Sequence, residues 1–285
     1  LEVYYFFNIY REKIMKKLKI GVIGCGNMGS ILVDSLVSVI GNKNVFCFDI
    51  DNFKLRKLKN KYKVNILSSN EDIADKTDII ILAVKPQQIK DVLEKIKNFI
   101  NEKKVVVSIA AGIKIKFLES VLGNKQIIRV MPNLPMKIGI GVSAICKNKT
   151  CSKKNFEIIK KIFSKKSIVV ELNEKFFDLI TAVSGSGPAY IFYISEIIQK
   201  VALKLGLPKK IIPDIVNYTI LGAAKMLAEE KMSAEKLKDA VTSKKGTTEQ
   251  ALNVFDLYNL DKIFYLAIKK AFHRAKEISE EISKI

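Results

Sequence analysis

Arginine is scarce in this chain of 285 residues. Of 49 basic residues only Arg11, Arg56, Arg129 and Arg274 are Arg; the other 45 are Lys. Arg supplies the forked contacts that nucleic-acid readers favour. Its scarcity turns the formal net charge of +20 away from a nucleic-acid partner and towards a solvated lysine surface. Lysines stand singly or in pairs along the whole chain and are densest from Lys54 to Lys63. Histidine is nearly missing, with His273 alone, and Cys25, Cys47, Cys146 and Cys151 form no C-x-x-C pair. A zinc site therefore has no plausible ligand set, and no metal is expected. Nothing in the cysteine usage points to an oxidising compartment, so a cytoplasmic location is expected. Six prolines and fourteen glycines exclude collagen-like and low-complexity classes. No apolar run approaches the roughly 20 residues of a bilayer span, so no membrane association is expected.

What remains is an ordinary globular composition, 48% hydrophobic and 27% charged. The length suits one large domain or two ordinary ones. Leu1 to Tyr10 is apolar and aromatic but ends in no small-residue cleavage pattern. Met15-Lys-Lys-Leu-Lys-Ile-Gly reads as a natural start, so residues 1–14 are treated as an extension.

Lys19 to Gly24 is a short apolar run ending in glycines, a strand buried on both faces. Asn27 to Ile40 has helical spacing, with Met28, Ile31, Leu32, Ser35 and Leu36 on one face. Val45 to Phe48, Ile79 to Val84 and Val105 to Ile109 read as further strands. Helices are predicted between them over Phe53 to Tyr62 and Gln87 to Phe99. This alternation predicts a parallel, doubly wound α/β sheet. Ile127 to Val130, Val142 to Ile145 and Ile168 to Val170 are expected to extend it. After Phe177 helical patterns dominate, over Ala189 to Leu205, Lys209 to Glu230 and Lys262 to Ser283. The expected division is a Rossmann-type domain over 15–178 and an all-helical domain over 179–285.

Gly24-Cys25-Gly26-Asn27-Met28-Gly29 has the G-x-G-x-x-G spacing, between a buried strand and a helix. In that context Gly24 permits a tight turn, Gly26 admits a pyrophosphate and Gly29 lets helix and strand pack closely. The helix N-terminus turns unpaired N–H groups towards the anion. Asp49 ends the second strand, where a carboxylate accepts from adenosine ribose hydroxyls and repels a 2′-phosphate. The pattern favours NADH over NADPH, although Lys54 and Arg56 stand close enough in sequence to reach a phosphate. Asn70, after a predicted strand end, is a second ribose contact.

Ala83-Val84-Lys85-Pro86 and Arg129-Val130-Met131-Pro132-Asn133 each end a strand on the expected ligand side. Ser184-Gly185-Ser186-Gly187-Pro188-Ala189-Tyr190 opens the first long helix, and Val241-Thr242-Ser243-Lys244-Lys245-Gly246-Thr247-Thr248 opens another. Such loops offer hydroxyls and free N–H groups to a small carboxylate, or serve as ordinary helix caps. Together, in order and spacing from Met15 to the C-terminus, these segments resemble the pyrroline-5-carboxylate reductase family. The last two are the specific ones. The resemblance implies a Rossmann domain followed by a helical domain that forms an interlocked dimer, often assembled into a ring. It also implies reduction of 1-pyrroline-5-carboxylate to proline with NADH or NADPH.

By that resemblance Ser243, Gly246 and the N–H groups of Thr247 and Thr248 hold the substrate carboxylate. The Thr248 hydroxyl meets the ring nitrogen, and Ser243 and Thr248 are the residues closest to the chemistry. Glu174 is a further candidate for the substrate's positive nitrogen, with helix capping as its alternative. Gly24, Gly26, Asn27, Met28, Gly29, Asp49, Asn70, Ala83, Val84, Lys85, Pro86 and Ala110 form the implied cofactor set. His273 reads as surface or interface. The chain departs from the family where Lys244-Lys245 replaces Pro-Gly, which changes the loop and adds two cations. Alternatives are reduction of another cyclic imine and a β-hydroxyacid dehydrogenase, faintly echoed by Gly222-Ala223-Ala224-Lys225. A non-catalytic dinucleotide sensor is the alternative of a different class.

Overall fold

The computed structural model describes residues 17–283. Met15 and the extension before it lie outside the described residues. By contacts the chain forms two compact units, one ending at Gly185 and rejoined by the residues from Ala271, the other spanning Ser186–Lys270. The change of unit thus falls seven positions past the expected 178, and the last helix ends in the first unit.

The first unit is built on an eight-stranded sheet. Its strands are β1 (Ile20–Ile23), β2 (Val45–Phe48), β3 (Asn65–Ile66), β4 (Ile79–Leu82), β5 (Val105–Ser108), β6 (Gln126–Pro132), β7 (Gly141–Lys147) and β8 (Ser167–Glu171). They lie in the order β3-β2-β1-β4-β5-β6-β7-β8. The helices are α1 (Asn27–Ile40), α2 (Asn52–Tyr62), α3 (Asn70–Lys76), α4 (Ile89–Ile96), α5 (Ile115–Leu122), α6 (Lys153–Phe163) and α7 (Phe177–Ile180). The chain crosses from β3 back past β1 to β4, so the topological switch lies between β1 and β4, where open α/β sheets bind their ligands.

Successive strand residues face opposite layers. Ile79 and Ile81 pack with Leu32, Leu36 and Phe163 on one face, while Ile80 and Leu82 pack with Ile89, Leu93 and Leu118 on the other. Each such side chain, fully buried, contributes roughly 1.5–3 kcal/mol relative to exposure. This two-sided burial is why the strands read as continuous apolar runs.

The sheet is not parallel throughout. β6 and β7 pair antiparallel, whereas β7 and β8 pair parallel across α6. Residues 133–140 are too few for the crossover a parallel pair requires, so the chain turns back through a 3-10 segment, Leu134–Ile138.

The second unit is helical: α8 (Gly187–Lys204), α9 (Ile212–Glu229), α10 (Ala234–Ala240) and α11 (Thr247–Leu257), with the start of α12 (Leu260–Ser283). Ser195 and Gln199 of α8 hydrogen-bond Asn217 of α9 at 3.0 and 3.4 Å. No residue of α8 or α11 is buried, and α9 buries only Ile212 and Val216. No described helix is long and apolar enough to cross a membrane.

Candidate active site

The glycine loop sits at the switch point. Gly24 has φ +94°, and a Cβ there would lie 2.7 Å from the Ala83 carbonyl and 2.9 Å from Val84. Ala83 and Val84 therefore pack directly on the turn. A Cβ on Gly29 would run into the Gly24 carbonyl, so only glycine lets α1 start this close to β1. A Cβ on Gly26 would meet nothing within 4 Å. Its side is open space at the head of α1, whose first turn carries no side-chain cap and no acid. The exposed Asn27 and half-buried Met28 begin that turn. Its free N–H groups suit a pyrophosphate.

Asp49 follows β2 and is 9% exposed. One carboxylate oxygen accepts from the Cys25 N–H at 2.6 Å, the other from the Asp51 N–H at 2.8 Å. Asp49 thus fixes the glycine loop, and each oxygen retains a lone pair for a ribose hydroxyl. Lys54 lies 3.6 Å from Asp49 and 3.5 Å from Asp51. The Phe53 N–H bond to Asp51, reinforced by Lys54, holds the Asp51 carboxyl below its usual range. Asn70 opens α3 after its capping residue Ser69 and is 8% exposed. Its Oδ1 is the buried side-chain polar atom without a partner among the described residues. Such an orphan is costly unless a ligand satisfies it. An open Gly26, a shaped glycine turn, a ribose-ready carboxylate and this orphan fit a dinucleotide.

Lys85 is exposed, and its N–H points to the Gln88 side chain at 3.4 Å, opening the 3-10 turn that begins at Pro86. Ala110 is 5% exposed beyond the end of β5, and its N–H lies 3.4 Å from the buried Ser108 hydroxyl.

Glu174 makes the helix-start contact that stood as the alternative to a substrate role. Its Oε1 accepts from Arg129 at 2.9 Å and from the Ile115 N–H, at the head of α5, at 2.8 Å. Arg129 is 2% exposed and lies over the Phe177 ring at 4.7 Å. Removing Glu174 would leave a buried guanidinium unpaired. Asp178 accepts from the Ser279 hydroxyl at 3.0 Å, and His273 is exposed against Phe272.

Sequence reasoning marked the R-V-M-P-N segment without giving Asn133 a role. Asn133, 7% exposed, donates to the Ser184 carbonyl at 3.2 Å and hydroxyl at 3.3 Å, and accepts from the Val142 N–H at 2.8 Å. It ties the end of β6 to a π-helical turn, Thr181–Gly185. Gly185 belongs there because a Cβ would press on Met131 at 2.7 Å. The signal was the pairing of two unusual motifs far apart in sequence.

In the second unit the 241–248 loop is tight. Lys245 sits at φ +62° and its N–H donates to Glu249 at 2.7 Å. The Gly246 N–H donates to the Ser243 carbonyl at 2.9 Å, and a Cβ on Gly246 would strike the Ser243 hydroxyl. Thr247 and Thr248 follow as the first residues of α11.

A family profile described as pyrroline-5-carboxylate reductase dimerisation matches residues 174–278. A second, described as NADP oxidoreductase coenzyme F420-dependent, matches residues 19–112. The chain is 34% identical over 270 residues to pyrroline-5-carboxylate reductase of Methanosarcina acetivorans, covering 94% of this chain and all of that one. It is 31% identical to the Arabidopsis thaliana enzyme, covering 93% and 97%. A pyrroline-5-carboxylate reductase structure from Coxiella burnetii superimposes with TM-score 0.86 at 36% identity, over 92% of this chain and 98% of that one. The Plasmodium falciparum pyrroline carboxylate reductase, solved with NADP bound, gives TM-score 0.84 at 30% identity, over 93% and 99%.

Fold, glycine loop and helical unit define a nicotinamide-dinucleotide oxidoreductase whose second domain serves self-association. Full-length similarity makes the assignment specific. The chain belongs to the pyrroline-5-carboxylate reductase family, NAD(P)H-dependent enzymes of proline biosynthesis that reduce the cyclic imine 1-pyrroline-5-carboxylate.

Proposed function

We propose that the 241–248 loop is the substrate site of this reductase and that NADH is its preferred cofactor. The observation that carries the first part is the loop geometry. Gly246 is packed on Ser243, and the Thr247 and Thr248 N–H groups follow at the head of an eleven-residue helix. First-turn N–H groups lack intrahelical partners and favour a carboxylate. Ser243 adds a hydroxyl to the same anion. The Thr248 hydroxyl oxygen accepts from the protonated imine nitrogen, which keeps the ring carbon electrophilic. The iminium brings its own proton, so no strong general acid is needed. Bound NAD(P)H supplies the hydride.

The NADH preference rests on Asp49, which is already fixed by two N–H groups and stands where a 2′-phosphate would be repelled. Gly24, Gly26, Asn27, Met28 and Gly29 hold the pyrophosphate in this reading, Asp49 and Asn70 the ribose. Ala83, Val84, Lys85, Pro86 and Ala110 border the rest of the dinucleotide. The apolar faces left open on α8 and α9 support a dimer, assembled further into a ring. Thr248→Ala tests the substrate site. It is expected to lower kcat/KM for the imine by about tenfold through the lost charge-assisted bond, with NADH binding retained. Unchanged imine reduction would remove Thr248 from the site.

A further inference from the structure

Two of the four free cysteines meet at the glycine loop. Cys25 lies between Gly24 and Gly26, and Cys47 is the third residue of β2. The parallel register sets Val22 opposite Cys47, so the chain leaving β1 turns back over the end of β2. Three bonds hold it there: the Gly24 N–H to the Phe48 carbonyl at 2.9 Å, the Cys25 N–H to Asp49 at 2.6 Å, and the Cys25 thiol to the Phe48 carbonyl at 3.6 Å. The two thiols hydrogen-bond each other inside one core cluster. That bond, together with burial, pushes the Cys47 thiol up. Cys25 also borders the open groove at Gly26 and Asn27, whereas Cys47 is fully buried. A small molecule that reaches the loop therefore meets Cys25 first.

We infer that Cys25 and Cys47 are a redox modification site: a reversible disulfide between them closes the glycine loop to the dinucleotide. The inference rests on the placement of the pyrophosphate at Gly26. The oxidant is a hydroperoxide. The Cys25 sulfur attacks one peroxide oxygen, the O–O bond breaks, and the Cys25 proton leaves with the other oxygen as water or an alcohol. Cys25 is then a sulfenic acid. The Cys47 sulfur attacks the Cys25 sulfur, the S–O bond breaks, and the Cys47 proton leaves with that oxygen as water. The two thiols lose two electrons and two protons, and the peroxide gains both. A protonated, buried thiol is a weak nucleophile, so the first attack falls to Cys25 and not to Cys47. Bonded sulfurs stand about 2.05 Å apart, nearer than hydrogen-bonded ones, so the disulfide draws the loop towards β2. Gly24, packed on Ala83, and Gly29, packed on Gly24, have no room to follow. The displacement falls on the Cys25 N–H, held by Asp49, and on Gly26 beside it.

The test treats the reduced full chain with hydrogen peroxide, maps cross-linked peptides by mass spectrometry and titrates NADH by fluorescence. A cross-link between Cys25 and Cys47 is expected, with NADH affinity at least about tenfold weaker until dithiothreitol restores it. Cys146→Ser/Cys151→Ser, which removes the other two thiols, is expected to respond as the wild type does, and Cys47→Ala to form no cross-link. NADH present during the treatment is expected to protect the pair, because the dinucleotide covers Gly26. Absence of the cross-link, a cross-linked protein with unchanged NADH affinity, a loss that disappears in Cys146→Ser/Cys151→Ser, or an equal dithiothreitol-reversible loss in Cys47→Ala overturns the inference. The cofactor placement fails separately, through a reduced Gly26→Ala protein that binds NADH normally.

Discussion

Lys245 occupies the left-handed region at φ +62°, where a non-glycine residue costs roughly 1–2 kcal/mol. The sequence comparison marked this position as one where the family resemblance expects glycine, and expected the loop to change. Lys245 bears that strain, helped by the bond from its N–H to Glu249. Lys245→Gly is expected to raise the unfolding free energy by about 1 kcal/mol, read from urea denaturation, while Lys245→Ala gives no such gain. Equal stability of all three proteins would contradict the strain. Asp49 shows the same mixture of legible and hidden. Its spacing from the glycines is what suggests a ribose contact, but its grip on the Cys25 N–H is visible only in three dimensions.

At the scale of elements, the glycine turn separates two kinds of constraint. Gly29 is fixed by the fold, because its Cβ would strike Gly24. Gly26 is not, because its Cβ meets no protein atom. Gly26→Ala is therefore expected to fold with wild-type thermal stability and to lose dinucleotide affinity, measured by fluorescence titration. Gly29→Ala loses stability as well. A Gly26→Ala protein that binds NADH normally would contradict the placement of the pyrophosphate. The strands and first helices were legible because two-sided burial and helical spacing write themselves into the sequence. α1 and β2 have the expected bounds. Val142 to Ile145 was expected to extend a parallel sheet, and the antiparallel pairing of β7 with β6 corrects this; the short connection before it carried the signal. The π-helical turn was not legible, since Asn133 holds it from across the fold. The ion pair of Glu174 was hidden for the same reason: its partner Arg129 lies on a distant strand.

For the whole molecule, the charge has an address. Residues 1–178 hold 33 basic and 17 acidic residues, leaving only +4 of the +20 for the rest. The positive field lies on the half that carries the cofactor loop, where the dinucleotide is itself an anion. The second unit poses a different problem. Tyr218 is 73% and Leu221 47% exposed on α9, with Phe192 and Tyr193 of α8 above 60%. Faces this apolar mark an association surface. Leu221→Glu is expected to shift the protein to smaller species in sedimentation velocity at micromolar concentration. An unchanged sedimentation coefficient would place the contact elsewhere.

The central claim is an NADH-preferring imine reductase, and one assay reaches it most directly. Initial rates of NADH and NADPH oxidation are measured side by side with 1-pyrroline-5-carboxylate, for the wild type and for Asp49→Ser, with proline quantified as product. The account predicts imine-dependent proline formation, a higher kcat/KM with NADH, and a ratio that moves towards NADPH in Asp49→Ser. Proline formation favouring NADPH in the wild type, with a ratio indifferent to Asp49, would contradict it.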